Sequence, residues 1–123
     1  MTIEVLEHRL TVCRLSDLSE INMTDDIYFI GKTDKELSLV CKTQSTPKNA
    51  IAVEDGWRGM RIAGALDFSL VGILGRIATV LAESGISIFA VSTFDTDYIL
   101  VKEDKLDSAI STLEKNGNII IRK

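Results

Sequence analysis

The sequence predicts an α+β protein built from two related ferredoxin-like units in tandem, the first of them incomplete. Three observations carry that expectation. The second half runs through strand and helix patterns in the order β-α-β-β-α-β, which folds as an antiparallel sheet with both helices on one face. The first half repeats the strand part of that order and lacks a matching second helix. The chain has 123 residues, 46% apolar and 26% charged, with one proline, a globular composition. A chain of this size buries roughly two-thirds of its unfolded surface.

In the second half, Met60–Leu66 reads as a strand. Asp67-Phe68-Ser69 follows as a helix-start signal with two candidate capping side chains. Leu70, Ile73, Leu74, Ile77, Val80 and Leu81 recur at helical spacing and place a helix over Leu70–Ser84. Gly72 and Gly75 each cost that helix about 1 kcal/mol relative to alanine, so something should benefit from the absent side chains. Gly85 is a stop signal. Ile86–Phe94 alternates as a strand, Asp95-Thr96-Asp97 forms a polar turn, and Tyr98–Glu103 completes a hairpin. Asp104 caps a second helix that carries Leu106, Ala109, Ile110 and Leu113 and ends at Asn116-Gly117, and Asn118–Ile121 closes the unit as a strand.

In the first half, Leu10–Leu15 is a strand and Ser16–Met23 a short helix or turn. Tyr28–Lys32 and Glu36–Lys42 pair around Thr33-Asp34-Lys35. A shift of 60 residues lays Phe29 on Phe89, Thr33 on Thr93 and Lys42 on Lys102, and the element order matches as well. Gln44–Asn49 is polar and holds Pro47, so the second helix is missing there. Ala52–Trp57 reads as the last strand of this copy. The expected division is 1–58 for a degenerate first subdomain and 59–123 for a full second one. An apolar patch left exposed by the missing helix would favour a dimer.

Composition excludes several classes. Fourteen basic against eighteen acidic residues give a net charge of −4, which argues against a nucleic-acid binder. The apolar runs are too short to span a membrane, and the first residues lack a signal-peptide pattern. Cys13 and Cys41 suit buried free thiols in a reducing cytoplasm, with pairing as the lesser alternative. No metal or cofactor is expected, since the cysteine spacing fits no zinc signature and His8 is the one histidine. His8 reads as a strand or surface residue rather than a base, and Asp95 and Asp97 as turn aspartates rather than a carboxylate pair. No nucleophile–base pair stands out, so no catalytic residue is assigned.

Two places suit a ligand. One is Asp67-Phe68-Ser69-Leu70-Val71-Gly72-Ile73, where the first N–H groups of a helix suit a carboxylate. The same residues suit an ordinary capped helix. The other is Ser92-Thr93-Phe94-Asp95-Thr96, where hydroxyls, an aromatic ring and an acid cluster at a strand end, or simply form a hairpin tip.

At these residues the sequence resembles a known family. Arg61–Leu74, continued by Leu81–Val101 with its Ser92-Thr93-Phe94-Asp95-Thr96-Asp97 run, is similar to an ACT domain. It looks most like small bacterial tandem-ACT proteins related to aspartate kinase regulatory regions and to CASTOR arginine sensors. The resemblance is specific over Gly56–Lys123 and looser over Leu10–Lys42. It implies a non-catalytic regulatory module that binds a free amino acid at an interface between ACT units. In that reading Asp67, Phe68, Ser69, Leu70, Val71, Gly72 and Ile73 hold the ligand's backbone groups. Ser92, Thr93, Phe94, Asp95 and Thr96 line its side-chain end, with Asp95 selecting a cationic or hydroxylated side chain. It further implies a cytoplasmic homodimer, acting on a separate partner protein because no catalytic domain lies within the sequence. The alternative is a protein–protein interaction module without a working ligand site, and a small enzyme using Asp95, Asp97 or His8 ranks third.

Overall fold

Alternating apolar residues and two amphipathic stretches organise the computed structural model, which describes residues 1–63 and 72–122. The elements in chain order are β1 (Thr2–Leu15), β2 (Tyr28–Lys32), β3 (Leu37–Lys42), β4 (Ala52–Ile62), α1 (Ile73–Glu83), β5 (Phe89–Ser92), β6 (Asp97–Lys102), α2 (Leu106–Lys115) and β7 (Ile119–Arg122). Single 3-10 turns follow β3 at Thr43–Ser45 and β6 at Glu103–Lys105. The chain divides into two compact units, one of Met1–Glu7 with Arg58–Lys123, the other of His8–Trp57.

In the larger unit the strand order is β7-β1-β4-β6-β5. The β5–β6 hairpin is antiparallel, with Phe89 opposite Leu100 and Ser92 opposite Asp97. The N-terminal part of β1 enters this sheet between β4 and β7 and runs parallel to β7, Thr2 opposite Ile119 and Val5 opposite Arg122. The four expected strands are therefore joined by a fifth, which the sequence pattern did not place there. Both helices cover one face. Ile3, Val5, Met60, Ile62, Ile99 and Val101 of the sheet pack with Ile73, Ile77 and Leu81 of α1 and Leu106, Ala109, Ile110 and Leu113 of α2. The period-two strand pattern and the 3.6-residue helix pattern meet in that single layer.

Both helices end in the same way. Gly85 N–H donates to the Ala82 carbonyl and Ile86 N–H to the Leu81 carbonyl. In α2, Gly117 N–H donates to Glu114 and Asn118 N–H to Leu113. Each pair satisfies carbonyls that the last helical turn leaves open. Gly117 sits at φ 89°, a conformation that a side chain would strain.

The smaller unit has the order β4-β1-β3-β2, built from the second part of β1 and the first part of β4. Leu10 to Leu15 pair antiparallel with Lys42 to Leu37, and Tyr28 to Lys32 with Cys41 to Leu37. The 60-residue shift holds at the level of register: Phe29 faces Val40 as Phe89 faces Leu100, and Lys32 faces Leu37 as Ser92 faces Asp97. Residues 16–27 form turns, so no helix occurs there, and none occupies 43–51 beyond one 3-10 turn. The face left without helices is nevertheless covered. Cys13, Leu15, Leu39 and Cys41 are buried, with Ile21 and Ala50 of the two connecting segments packed against them. Large apolar side chains of this unit, Leu18, Met23, Ile51 and Val53 among them, remain exposed.

Several element limits differ from the sequence reading. Ala52–Ile62 is one strand, where two separate strands, Ala52–Trp57 and Met60–Leu66, were expected; residues 64–66 lie outside the described segments. The fifth strand starts at Phe89 rather than Ile86, and the turn of its hairpin is Thr93–Thr96. Asp104 lies in the 3-10 turn, and α2 starts after Lys105 with no side-chain cap.

Burial pushes the Cys41 thiol up to about 11, and burial likewise raises Cys13. A raised thiol pKa contributes stability below the unfolded value of 9.0 that is lost as pH rises through the folded value near 11. Unfolding free energy measured in urea is expected to fall between those two pH values, and a Cys13→Ser/Cys41→Ser variant should show a flatter profile. Gly117→Ala is expected to cost about 1 kcal/mol through strain at positive φ. Gly75 lies inside α1 with no atom within 4 Å of an added Cβ. Gly75→Ala should therefore stabilise the protein by about 0.5–1 kcal/mol in the same titration.

Candidate functional site

Helix α1 starts at a glycine. Gly72 is its N-cap, at φ 79° and ψ 11°, and its carbonyl accepts the first intrahelical bond from Arg76 N–H at 2.8 Å. Among the described residues no side chain caps this helix, and the expected capping residues Asp67 and Ser69 lie outside the described segments. Gly72 is outside the helix rather than within it, and its positive φ explains why glycine stands there. An added Cβ would meet only the end of the Arg76 side chain, at 3.7 Å. Ile73, the first helical residue, is buried in the core. The N–H groups of the first turn have no intrahelical partners and carry positive partial charge. Asp67, Phe68, Ser69, Leu70 and Val71 lie outside the described residues.

The second predicted cluster comes together as one tight turn. Thr93 N–H donates to the Thr96 carbonyl at 2.8 Å, the Thr93 hydroxyl donates to the same carbonyl at 2.9 Å, and Thr96 N–H donates back to Thr93 Oγ1 at 3.3 Å. The Ser92 hydroxyl donates to Asp97 Oδ1 across the strand pair. The Thr96 hydroxyl donates to the Ile62 carbonyl at 2.8 Å. That bond fixes the hairpin tip against the end of β4, the strand that leads into residues 64–71. The tip presents Phe94, 81% exposed, together with Asp95. The Phe94 ring thus lies at the surface of a tip locked by hydroxyls.

Arg61 was not singled out by the sequence reading. Its guanidinium lies 3.5 Å from the Tyr98 hydroxyl and 3.4 Å from Glu4 Oε2. The Tyr98 hydrogen bond, with the Glu4 carboxylate behind it, raises the arginine's pKa further. Three strands supply this group, which is why no linear motif reveals it. The one local signal is that Arg61 interrupts the buried pair Met60 and Ile62. Among the described residues no three histidine, cysteine or acidic side chains gather as metal ligands. Among the described residues no helix is long and apolar enough to cross a membrane.

The βαββαβ unit with a glycine-started helix and a hydroxyl-locked hairpin tip defines the class: an α+β domain of ferredoxin-like order. The ACT domain family model matches residues 52–115, and the chain belongs to the ACT domain family. Among curated proteins it is similar to the cytosolic arginine sensor for mTORC1 subunit 1 of Homo sapiens and that of Bos taurus. Each is 43% identical over 60 residues, covering 48% of this chain and 18% of the relative. The chain thus spans less than a fifth of the length of those relatives. Among solved structures, a protein of Agobacterium tumefaciens superposes with a TM-score of 0.88 at 28% identity, over 99% of this chain and 92% of that one. The regulatory subunit of aspartate kinase from Thermus thermophilus, in ligand-free form, has a TM-score of 0.67 at 8% identity, over 92% and 95%. Aspartate kinase from Clostridium acetobutylicum has a TM-score of 0.64 at 13% identity, over 88% and 32%.

Thr96→Val removes the hydrogen bond to Ile62 and leaves a carbonyl without its donor. The expected cost is about 1–2 kcal/mol in a denaturant titration, with the amide resonances of Thr93–Asp97 shifting more than those of α2. Gly72→Val places a β-branched residue at positive φ. It is expected to lower the melting temperature by several degrees, through a cost of about 1–3 kcal/mol.

Proposed function

We propose that this chain is a non-catalytic regulatory module that senses a free amino acid. The observation that carries the reading is the ACT family match over 52–115, joined by 43% identity over 60 residues to proteins named as arginine sensors. In this reading the ligand's carboxylate meets the N–H groups at the start of α1, near Gly72 and Ile73. The segment Asp67–Val71 completes that end, with the Asp67 carboxylate accepting from the ammonium group. Ser92, Thr93, Phe94, Asp95 and Thr96 line the side-chain end. Asp95 favours a cationic side chain, which makes arginine the first ligand to test.

The site forms at an interface between ACT units, as in a homodimer. The protein works in the cytoplasm and passes its signal to a separate protein partner. Its chemistry is binding and release, with no cofactor and no catalytic group.

The test is thermal unfolding against each of the twenty amino acids. A ligand at 100 times its dissociation constant adds about 2.7 kcal/mol, a shift of several degrees for a domain of this size. Arginine, or one chemically related group, is expected to give that shift. Phe94→Ala and Asp95→Asn, both at an exposed tip, should reduce the shift and leave the melting temperature of the free protein unchanged. No response to any amino acid would turn the assignment to a protein–protein interaction module.

A further inference from the structure

We propose that β7 is the contact strand of a homodimer, in which β7 of one copy runs antiparallel to β7 of a second copy with Ile120 on the two-fold axis. The inference rests on the homodimer reading above and names the surface that joins the two copies.

One side of β7 is committed within the chain. Ile119 N–H donates to the Met1 carbonyl at 2.9 Å, and the strand pairs with β1 from Thr2 to Val5. Backbone groups point to alternate sides along a strand, so those of Ile119 and Ile121 face β1 and those of Ile120 and Arg122 face away. Among the described residues no strand lies on that outer side. The side chains alternate as well. Ile120 packs on the core under the helices. Ile119 and Ile121 stand on the opposite face, 64% and 45% exposed.

Open strand edges are normally blunted by charge, proline or a bulge. The other open edges follow that rule or expose little. The outer strand β2 ends in Lys32, and the first part of β4 carries Glu54 and Asp55. On β5 the exposed positions are Ala90 and Ser92. In β7 three isoleucines follow one another with no charge before Arg122.

The phase of β7 selects a second copy as its partner. In an antiparallel ladder, two residues whose outward backbone groups meet exchange a pair of hydrogen bonds. With Ile120 on the axis, that residue bonds its own counterpart. Ile119 then stands directly opposite the partner's Ile121, and Ile121 opposite the partner's Ile119, at the closer spacing of a pair without hydrogen bonds. The exposed isoleucines of both copies cover one another. Each Arg122 lies beside the partner's uncharged Asn118, at opposite ends of the ladder, whereas a register centred on Arg122 would set two cations face to face. A foreign strand would have to match both the aliphatic spacing and the charge, which a second copy does by symmetry. The four-residue ladder makes a small interface, so the expected dissociation constant is about 1–100 μM.

The experiment is analytical ultracentrifugation of the full chain from about 1 to 200 μM, beside Ile121→Lys. The parent is expected to pass from monomer to dimer over that range. Ile121→Lys should associate about tenfold more weakly or worse, because it sets a cation against the partner's Ile119. Its side chain is exposed, so the dilute variant keeps the melting temperature of the dilute parent. Covalent capture tests the register. Ile119→Cys/Ile121→Cys should form a disulfide-linked dimer under diamide, while Ile51→Cys/Val53→Cys, at the exposed start of β4, stays monomeric. The proposal is overturned by a parent that remains monomeric throughout, by a dimer that persists unchanged in Ile121→Lys, or by capture at the β4 positions and not at β7. A monomer that still responds thermally to an amino acid removes this contact alone. A β7-linked dimer that responds to no amino acid keeps the contact and removes the sensor reading.

Discussion

Both units depend on one strand. The first part of β1 puts Ile3 and Val5 into the core under the two helices and is the ladder partner of β7. Its second part puts Cys13 and Leu15 into the core of the smaller unit and is the ladder partner of β3. Backbone N–H and C=O groups that leave water must find partners. A four-residue strand such as β7 has little side-chain burial of its own to hold it. Without β1 it would be an edge with nothing to pair against. Each part of β1 keeps its own alternation, Ile3 and Val5 buried in the first and Cys13 and Leu15 in the second, and a one-residue slip in either would turn those positions outward.

Within the ACT unit, the position of the candidate site follows from the same economy of hydrogen bonds. The hairpin tip could hang in solvent. Instead the Thr96 hydroxyl ties it to the last carbonyl of β4, so the side chains of the tip sit where the chain leaves that strand. At Gly72 the left-handed backbone turns the chain directly into α1, and among the described residues no side chain caps the first helical N–H groups. An ordinary capped helix would have spent those donors on a serine or aspartate. Glycine in this place takes a positive φ that a side chain would strain, and it offers those donors no side-chain cap of its own.

The duplicated hairpin shows what the backbone needs and what it does not. Threonine recurs at the first turn position in both copies because its hydroxyl closes the turn. The next position is aspartate in one copy and phenylalanine in the other, with the same turn formed. The turn itself therefore places no demand for an aromatic residue at Phe94. In the smaller unit the loops after β1 and β3 take over the work of helices. They cover Cys13, Leu15, Leu39 and Cys41 with short apolar contacts and so keep both thiols protonated through the neutral range.

Sequence alone determined what is periodic or local. The stripes Ile73, Ile77, Leu81 and Leu106, Ala109, Ile110, Leu113 announce two helices on a shared face. Gly85 and Asn116-Gly117 announce where those helices stop, and the 60-residue echo of Phe29 and Thr33 announces a second hairpin in the same register. Each of these is written in residues a few positions apart, or in a pattern repeated along the chain. The tertiary structure decided what depends on distant partners. It inserted β1 between β4 and β7, merged two expected strands into Ala52–Ile62, gathered Arg61, Tyr98 and Glu4 from three strands, and shifted the helix start to an uncapped glycine at positive φ. The physical reason is the same in each case. A ladder partner, a cross-strand ion pair and a backbone dihedral are set by which chain segments meet, and a linear pattern carries no record of that meeting.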